Sequence, residues 1–140
     1  AGIAAVSSLG VPLTHREHAH GVVFVTGHAK PGCAGTDWRA LAHTARQAKL
    51  TLVVYMGVSG ATTIQNELLH GLHADTPVAI IQRASLPTQR QAVCILADLA
   101  STIAREELAS PSVIVVGDVL QGLLAAGLEA RDLPVQNRAA

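Results

Sequence analysis

The stretch LTLVVYMGVS, residues 50–59, constrains the fold of this chain more than any other. Its first six residues are a short apolar run between Lys49 and the Met56-Gly57 pair. A run of this length predicts a strand that is buried on both faces. Because ligands bind at strand ends in open α/β sheets, the turn over residues 56–60 is a candidate ligand-contacting loop. An ordinary turn with a glycine for backbone freedom is the alternative.

A helix is expected directly after this turn. The apolar residues that recur at helical spacing are Ala61, Ile64, Leu68, Leu69 and Leu72. Ser59 is the expected N-cap of this helix, and Gly71 marks its expected end. The sequence therefore predicts a strand, a tight turn and a helix around one candidate loop.

Further apolar runs predict strands over residues 21–26, 78–82, 91–96 and 112–116, although 91–96 is also compatible with the start of a helix. An amphipathic helix is expected from Trp38, with Thr36 or Asp37 as its N-cap. Another helix is expected after Asp98. Because strands and helices alternate, the predicted class is α/β.

Three segments outside these elements are interpreted from their composition. Residues 2–9 predict an apolar helix without a polar face, which needs covering by something else; the sequence is therefore expected to be a piece of a longer protein. Residues 27–36 are rich in glycine and predict a flexible loop. Residues 121–140 are interpreted as a tail with weak caps that frays at its end.

Composition narrows the classes of partner. The chain has 140 residues, which is one domain's worth, and hydrophobic residues make up 49% of it. Its formal net charge is 0 without a basic run, so no nucleic-acid partner is expected. Neither a bilayer-spanning run nor a charged leader is visible, so we expect no membrane association and no signal peptide. Cys33 and Cys94 are isolated thiols, which favours a reducing cytoplasm.

The sequence contains no self-contained catalytic set. His15, His18 and His20 lie close together, but they lack a cysteine or carboxylate at zinc spacing, so we expect no metal site. Cys33 lies in a glycine-rich loop without a nearby base, which gives a catalytic thiol little support. We find no nucleophile elbow, Walker A loop or dinucleotide fingerprint. The catalytic residues are therefore unknown at this point.

Main-chain groups after two of the predicted strands offer another kind of site. Residues 55–57 and 83–85 both follow buried runs. An adenine ring needs a donor and acceptors along its edge together with apolar contacts to its faces. Exposed main chain beside a methionine side chain can supply these contacts. The two turns are therefore compatible with binding of a planar ring.

Five motifs in order carry a resemblance to a known family. They are GVPLTHR from Gly10, FVTGH from Phe24, LVVYMG from Leu52, PTQR from Pro87 and SPSVIVVGDV from Ser110. Together they closely resemble the C-terminal half of uroporphyrinogen-III C-methyltransferases, within the tetrapyrrole methylase family. The resemblance implies a mixed sheet of about five strands flanked by helices. It divides the chain into a connecting segment, residues 1–12, a domain, residues 13–120, and the tail, residues 121–140.

The resemblance also implies an activity. Enzymes of this family transfer methyl groups from S-adenosyl-L-methionine to uroporphyrinogen III, which gives precorrin-2 for sirohaem and cobalamin and leaves S-adenosyl-L-homocysteine. It further implies a cytoplasmic homodimer. The family's N-terminal domain, with the residues proposed for proton handling, has no counterpart here. The resemblance therefore gives this chain half of a cofactor site and no complete active site, and the chain alone is expected to be inactive.

The resemblance assigns site residues by position. The implied cofactor-binding residues are Tyr55, Met56, Gly57, Arg83, Ala84, Ser85 and Ser112. Gly57 is expected to leave the main chain bare, so that a ring can approach closely. Ala84, after the neighbouring strand, is expected to form the facing wall. Arg16 is the implied substrate-binding residue, with Lys30 and Arg90 as further cations that suit a polycarboxylate. Solvated surface charge is the alternative for these three. Two other functions stay open: a non-catalytic α/β dimerisation module, and a methyltransferase for a later precorrin.

Overall fold

The computed structural model describes residues 10, 12–27, 35–84 and 86–131, with side chains described as far as residue 126. The strands are β1 Gly21–Thr26, β2 Leu50–Tyr55, β3 Pro77–Gln82, β4 Arg90–Ile95 and β5 Ser112–Val116. The α-helices are α1 Trp38–Ala48, α2 Ala61–Leu68, α3 Leu99–Arg105 and α4 Gln121–Arg131. Short 3-10 turns, Leu96–Asp98 and Asp118–Leu120, lead into α3 and α4.

The five strands form one mixed sheet in the order β1-β2-β5-β3-β4. β1 runs parallel to β2, whereas β5 is antiparallel to both of its neighbours, β2 and β3. β4 is antiparallel to β3 at the far edge. The predicted α/β class and the mixed sheet of five strands are confirmed. The run over residues 91–96, which was also compatible with a helix start, is a strand as far as Ile95.

Apolar side chains cover both faces of this sheet. The larger cluster joins β2, β3 and β5 to α1, α2 and α3, through residues such as Leu52, Ile64 and Leu99. The smaller cluster lies on the other face, where Leu120 and Leu123 pack against Val53 and its neighbours. Because β2, β3 and β5 bury both faces, their sequences are continuous apolar runs instead of alternating ones.

Helix caps agree only in part with the prediction. Asp37 is the N-cap of α1, and its carboxylate accepts a hydrogen bond of 3.1 Å from the Ala40 amide. The prediction that Ser59 caps α2 is wrong, because the N-cap is Gly60, which offers no side chain. The turn after β2 thus takes one residue more than expected. α2 also ends at Leu68, so Leu72 lies in the following loop.

Gln65 supplies a cap that links two helices. Its amide nitrogen donates to the Ala97 carbonyl at 3.0 Å, and its amide oxygen accepts from the Ala100 amide at 2.7 Å. The residue at the N-cap of α3, Asp98, makes no side-chain cap hydrogen bond. A side chain of α2 therefore satisfies a free amide at the start of α3.

Replacing Gln65 with leucine is expected to lower the free energy of unfolding by about 1–3 kcal/mol, because two partly buried main-chain groups lose their partner. Urea unfolding followed by circular dichroism measures this change. Gln47→Leu, on the exposed surface of α1, is the matched control and should change the unfolding free energy little. Equal effects of the two substitutions would show that the cap contributes nothing.

The C-terminal segment differs from the expected tail. Residues 121–131 form α4, which begins directly after the second 3-10 turn. Leu123, near the start of this helix, packs against the smaller cluster. The predictions for residues 2–9, for most of the loop over 27–36 and for residues 136–140 lie outside the described residues. Among the helices that are described, none is long and apolar enough to cross a membrane.

Candidate functional site

The predicted ligand-contacting residues gather at one edge of the sheet. Since β5 is antiparallel to both β2 and β3, its first residue lies between the ends of those two strands. Val113 pairs with Tyr55 on one side and with Ile81 on the other, and Ser112 pairs with Gln82. The sheet thus places the turn after β2, the start of β5 and the turn after β3 next to one another.

Two residues at this edge have an unusual backbone conformation. Met56 and Arg83 each follow the last residue of a strand, and both have a φ of +53°. A left-handed conformation is uncommon for residues other than glycine, and such residues cluster at functional sites. The Arg83 amide donates to the Pro111 carbonyl at 2.9 Å, which holds this turn against the segment that leads into β5. The same local distortion therefore flanks Ser112 on both sides.

Ala84 lies further from Met56 than the sequence suggested. The expectation that it follows the strand next to β2 is wrong, because β5 lies between β2 and β3. Two strand spacings, about 10 Å, therefore separate the ends of these strands. Ala84 is half-buried and packs against the smaller cluster. A ligand that contacts both residues must therefore extend across the start of β5.

Gly57 packs closely against the core of the domain. We expected it to leave the main chain bare for a ligand ring, but the residue is buried. A Cβ atom at Gly57 would lie 2.9 Å from Val54 Cγ1 and 3.0 Å from Ile114 Cδ1. The missing side chain therefore lets the turn pack on the core. Met56, the preceding residue, is exposed.

Gly27 contacts the Met56-Gly57 turn at the candidate edge, although the sequence predicted only that it begins a loop. Its amide donates to the Tyr55 carbonyl at 2.6 Å, and a Cβ atom there would lie 2.6 Å from Gly57 Cα. The end of β1 thus packs main chain against main chain on the Met56-Gly57 turn. The FVTGH motif contains Gly27, but the residues that Gly27 contacts, Tyr55 and Gly57, are distant in sequence.

The exposed large apolar side chains of the described chain are Phe24, Met56 and Leu86, at 44%, 55% and 54% of full exposure. Met56 and Leu86 follow β2 and β3 at the candidate edge. Phe24 lies in β1, with its ring stacked on that of Tyr55 at a centroid distance of 6.2 Å. Met56 and Leu86 thus give this edge apolar side chains that solvent reaches. The edge therefore combines a polar main chain with apolar contact area.

Ser112 contributes a hydroxyl group that has no assigned partner. Its Oγ is buried and makes no hydrogen bond within the described part of the chain. Buried polar groups are rarely left unpaired, so each exception needs an explanation. Ser112 lies at the centre of the candidate edge, between the turns of Met56 and Arg83. Its hydroxyl is therefore a polar group at this edge without a partner among the described residues.

Arg16 is not brought together with these residues. It lies in the loop that precedes β1, where the His20 amide donates to the Lys49 carbonyl at 2.7 Å. The hydroxyl of Thr51 fixes the same loop by donating to the Leu13 carbonyl at 2.8 Å. These contacts place the loop at the start of β2, the opposite edge of the sheet. Arg90, by contrast, pairs with Gln82 at the candidate edge.

Three other residues considered from the sequence, Lys30, Cys33 and Ser85, lie outside the described residues. The rings of His15 and His18 lie 4.7 Å apart, and the His15 Nδ1 accepts a hydrogen bond from the Glu17 amide. Over the described ranges, no group of three side chains is arranged to hold a metal ion. The groups that the candidate edge offers are main-chain groups, the Met56 thioether, the Ser112 hydroxyl and the arginines Arg83 and Arg90.

Comparison with known proteins identifies the family of this chain. The family of tetrapyrrole (corrin/porphyrin) methylases matches residues 1–100. A siroheme synthase from Azotobacter vinelandii is 45% identical over 113 residues, which cover 80% of this chain. The chain therefore belongs to the tetrapyrrole methylase family.

Solved structures give the same family. The uroporphyrin-III C-methyl transferase from Thermus thermophilus, complexed with S-adenyl homocysteine, is 34% identical, with a TM-score of 0.68 over 81% of this chain. A cobalt precorrin-4 methyltransferase has a TM-score of 0.73 at 18% identity, which shows a common fold. The chain spans 24% of the length of the siroheme synthase and 49% of that of the Thermus enzyme.

Proposed function

We propose that this chain supplies half of the cofactor site of an S-adenosyl-L-methionine-dependent methyltransferase that converts uroporphyrinogen III to precorrin-2. The observation that carries the proposal is the pair of left-handed residues, Met56 and Arg83, on either side of Ser112. The structure of a relative with S-adenyl homocysteine bound supports the choice of cofactor. The homodimer and the cytoplasmic location stay predictions.

The residues at the candidate edge fit the adenosine part of such a cofactor. Met56 offers a polarisable apolar side chain, which suits the face of a ring. The turns of Met56 and Arg83 offer main-chain groups, and Ser112 offers an unpaired hydroxyl. A purine nucleoside has both an apolar ring face and several hydrogen-bonding edges, so it matches this donor set. Tyr55, Gly57, Ala84 and Ser85 complete the proposed contact region.

The chain's own contribution to methyl transfer is binding and orientation. The bound cofactor supplies an activated methyl group on its sulfonium, so the protein needs to align the reactants and exclude water. Met56 and the Gly27–Gly57 contact fix one end of the cofactor's site. Arg90 lies at the same edge and is half-exposed beside Glu106, at 3.9 Å. We propose it as a cation for a carboxylate of the substrate. Contact of Arg16 with substrate stays a prediction.

Methyl transfer by the intact gene product tests this function directly. Incubation with S-adenosyl-L-methionine and uroporphyrinogen III is expected to add methyl groups to the tetrapyrrole, measured by mass spectrometry. Calorimetric titration with S-adenosyl-L-homocysteine tests the cofactor site separately. If the protein bound S-adenosyl-L-homocysteine and methylated a later precorrin but not uroporphyrinogen III, the proposed substrate would be wrong. Absence of binding would favour a non-catalytic module.

Replacing Met56 with alanine is expected to weaken binding of S-adenosyl-L-homocysteine by about 5- to 30-fold, because the ring loses an apolar contact worth roughly 1–2 kcal/mol. The side chain is 55% exposed, so the unfolding free energy should change little. Calorimetry on the intact gene product measures the binding. Ile95→Ala, in a strand at the far side of the sheet, is the control and should leave binding unchanged. Unaltered binding by Met56→Ala would remove Met56 from the site.

A further inference from the structure

A polar cavity lies at the opposite edge of the sheet from Met56. It is a cavity of about 90 Å³ at the starts of β2 and β3 and the end of β5, where Leu50, Thr76 and Gly117 line it. A six-residue strand is about 20 Å long, so this cavity is separate from the proposed cofactor site. The proposed methyltransferase function makes no use of it.

Four charged side chains of opposite sign line this cavity. Arg46 and Lys49 come from the C-terminal end of α1, and Asp75 and Asp118 come from the loops before β3 and after β5. Within the part of the chain that the structure describes, none of the four forms an ion pair. Two cations and two carboxylates thus share one concavity without neutralising one another by direct contact.

The charged residues of the cavity are anchored through their backbones. Lys49 is the C-cap of α1 in a left-handed conformation, with a φ of 54°, and β2 begins at the next residue. Its amide donates to the Ala45 carbonyl, and its ammonium group donates to the Glu17 carbonyl at 3.5 Å. Asp118 begins the 3-10 turn that leads into α4, where a carboxylate is favoured by the helix dipole. The cationic and the anionic residues therefore come from different elements.

The size of the cavity limits what can bind. The volume of about 90 Å³ is well above the roughly 10–15 Å³ that one water needs, so the cavity accommodates several waters or one small ligand. We infer that this cavity binds a small zwitterion of the free α-amino acid class. The carboxylate of the ligand faces Arg46 and Lys49, and its ammonium group faces Asp75 and Asp118. Charge-assisted hydrogen bonds at both ends select a molecule that carries both charges.

These side chains are exposed, so solvent screens their charges and binding is expected in the millimolar range. L-alanine is the probe, titrated into the intact gene product labelled with ¹⁵N. The amides of Lys49, Thr76 and Gly117 should shift in a saturable way. Acetate and ethylammonium, which carry one charge each, should bind at least about tenfold more weakly than L-alanine.

A charge substitution sharpens the test. Asp118→Asn should weaken the binding of L-alanine about fivefold, because a contact with its ammonium group is lost. The binding of acetate, which has no ammonium group, should not change. Asp98→Asn, an exposed carboxylate outside the cavity, is the matched control and should have no effect. Acetate that binds as tightly as L-alanine, or an absence of saturable shifts at tens of millimolar, would overturn the inference. Shifts confined to the amides of Gly27, Gly57 and Arg83 would also overturn it, since they would place L-alanine at the cofactor edge.

Discussion

Gly27→Ala is expected to lower the free energy of unfolding by about 1–3 kcal/mol and to weaken S-adenosyl-L-homocysteine binding more than about tenfold. The new Cβ would lie 2.6 Å from Gly57 Cα and 2.9 Å from the Met56 carbonyl oxygen. Both are main-chain atoms, so relief of the overlap requires the end of β1 to move away from the Met56-Gly57 turn. That movement breaks the hydrogen bond from Gly27 to Tyr55 and displaces Met56.

Gly71→Ala separates the effect on binding from the effect on stability. A Cβ at Gly71 would lie 2.7 Å from the Ala42 Cβ and 2.7 Å from the His43 amide nitrogen, so it also meets main chain. This contact joins α1 to the loop after α2, away from the candidate edge. We expect a similar loss of stability, measured by urea unfolding, with S-adenosyl-L-homocysteine affinity retained. Equal losses of affinity in the two variants would show that Gly27 acts through stability alone.

Ala84→Leu is expected to weaken S-adenosyl-L-homocysteine binding at least about tenfold in the intact gene product, with a much smaller effect on uroporphyrinogen binding. The position follows β3 at the candidate edge and is half-buried against the smaller cluster. Leucine adds three carbons where the cofactor is proposed to cross the start of β5. Calorimetric titration measures the affinity, and circular dichroism checks that the fold is intact.

Ala74→Leu is the matched control for this substitution. Ala74 is exposed in the loop that leads into β3, so the same increase in volume is placed at the other end of the strand. Its affinity for S-adenosyl-L-homocysteine should equal that of the unchanged protein. If Ala84→Leu also bound normally with its fold intact, the contact region after β3 would have to be reassigned.

The strands were predictable because their signal is local. β2, β3 and β5 are largely apolar runs. Asp37 is a residue type that favours the N-cap, and it directly precedes Trp38, the first residue of α1. The strand order was not predictable in the same way. A strand that is buried on both faces has no polar face to fix its register, so nothing local indicates that β5 lies between β2 and β3. The misplacement of Ala84 relative to Met56 follows directly from that missing information.

The candidate site was likewise predictable only in part. The sequence identified Met56 and Gly57 as a turn after a buried strand, and the structure places that turn beside Ser112 and Arg83. The close packing of Gly57 was not predictable from the sequence. A Cβ atom there would meet the side chains of Val54, Ile64 and Ile114, which only the folded core brings together. The left-handed φ of Met56 and Arg83 had no sequence signal, since neither is a residue type that favours it.

The central position of β5 has a consequence for how the domain is made. A ribosome delivers β1 to β4 first, yet β2 and β3 have no contact with each other in the sheet until β5 joins them. The chain that has emerged before Ser112 therefore holds two separate strand pairs with unpaired inner edges. Such edges promote wrong association. The five-stranded sheet is complete only when β5 has paired with β2 and β3. Pairings between residues distant in sequence therefore control the rate of folding.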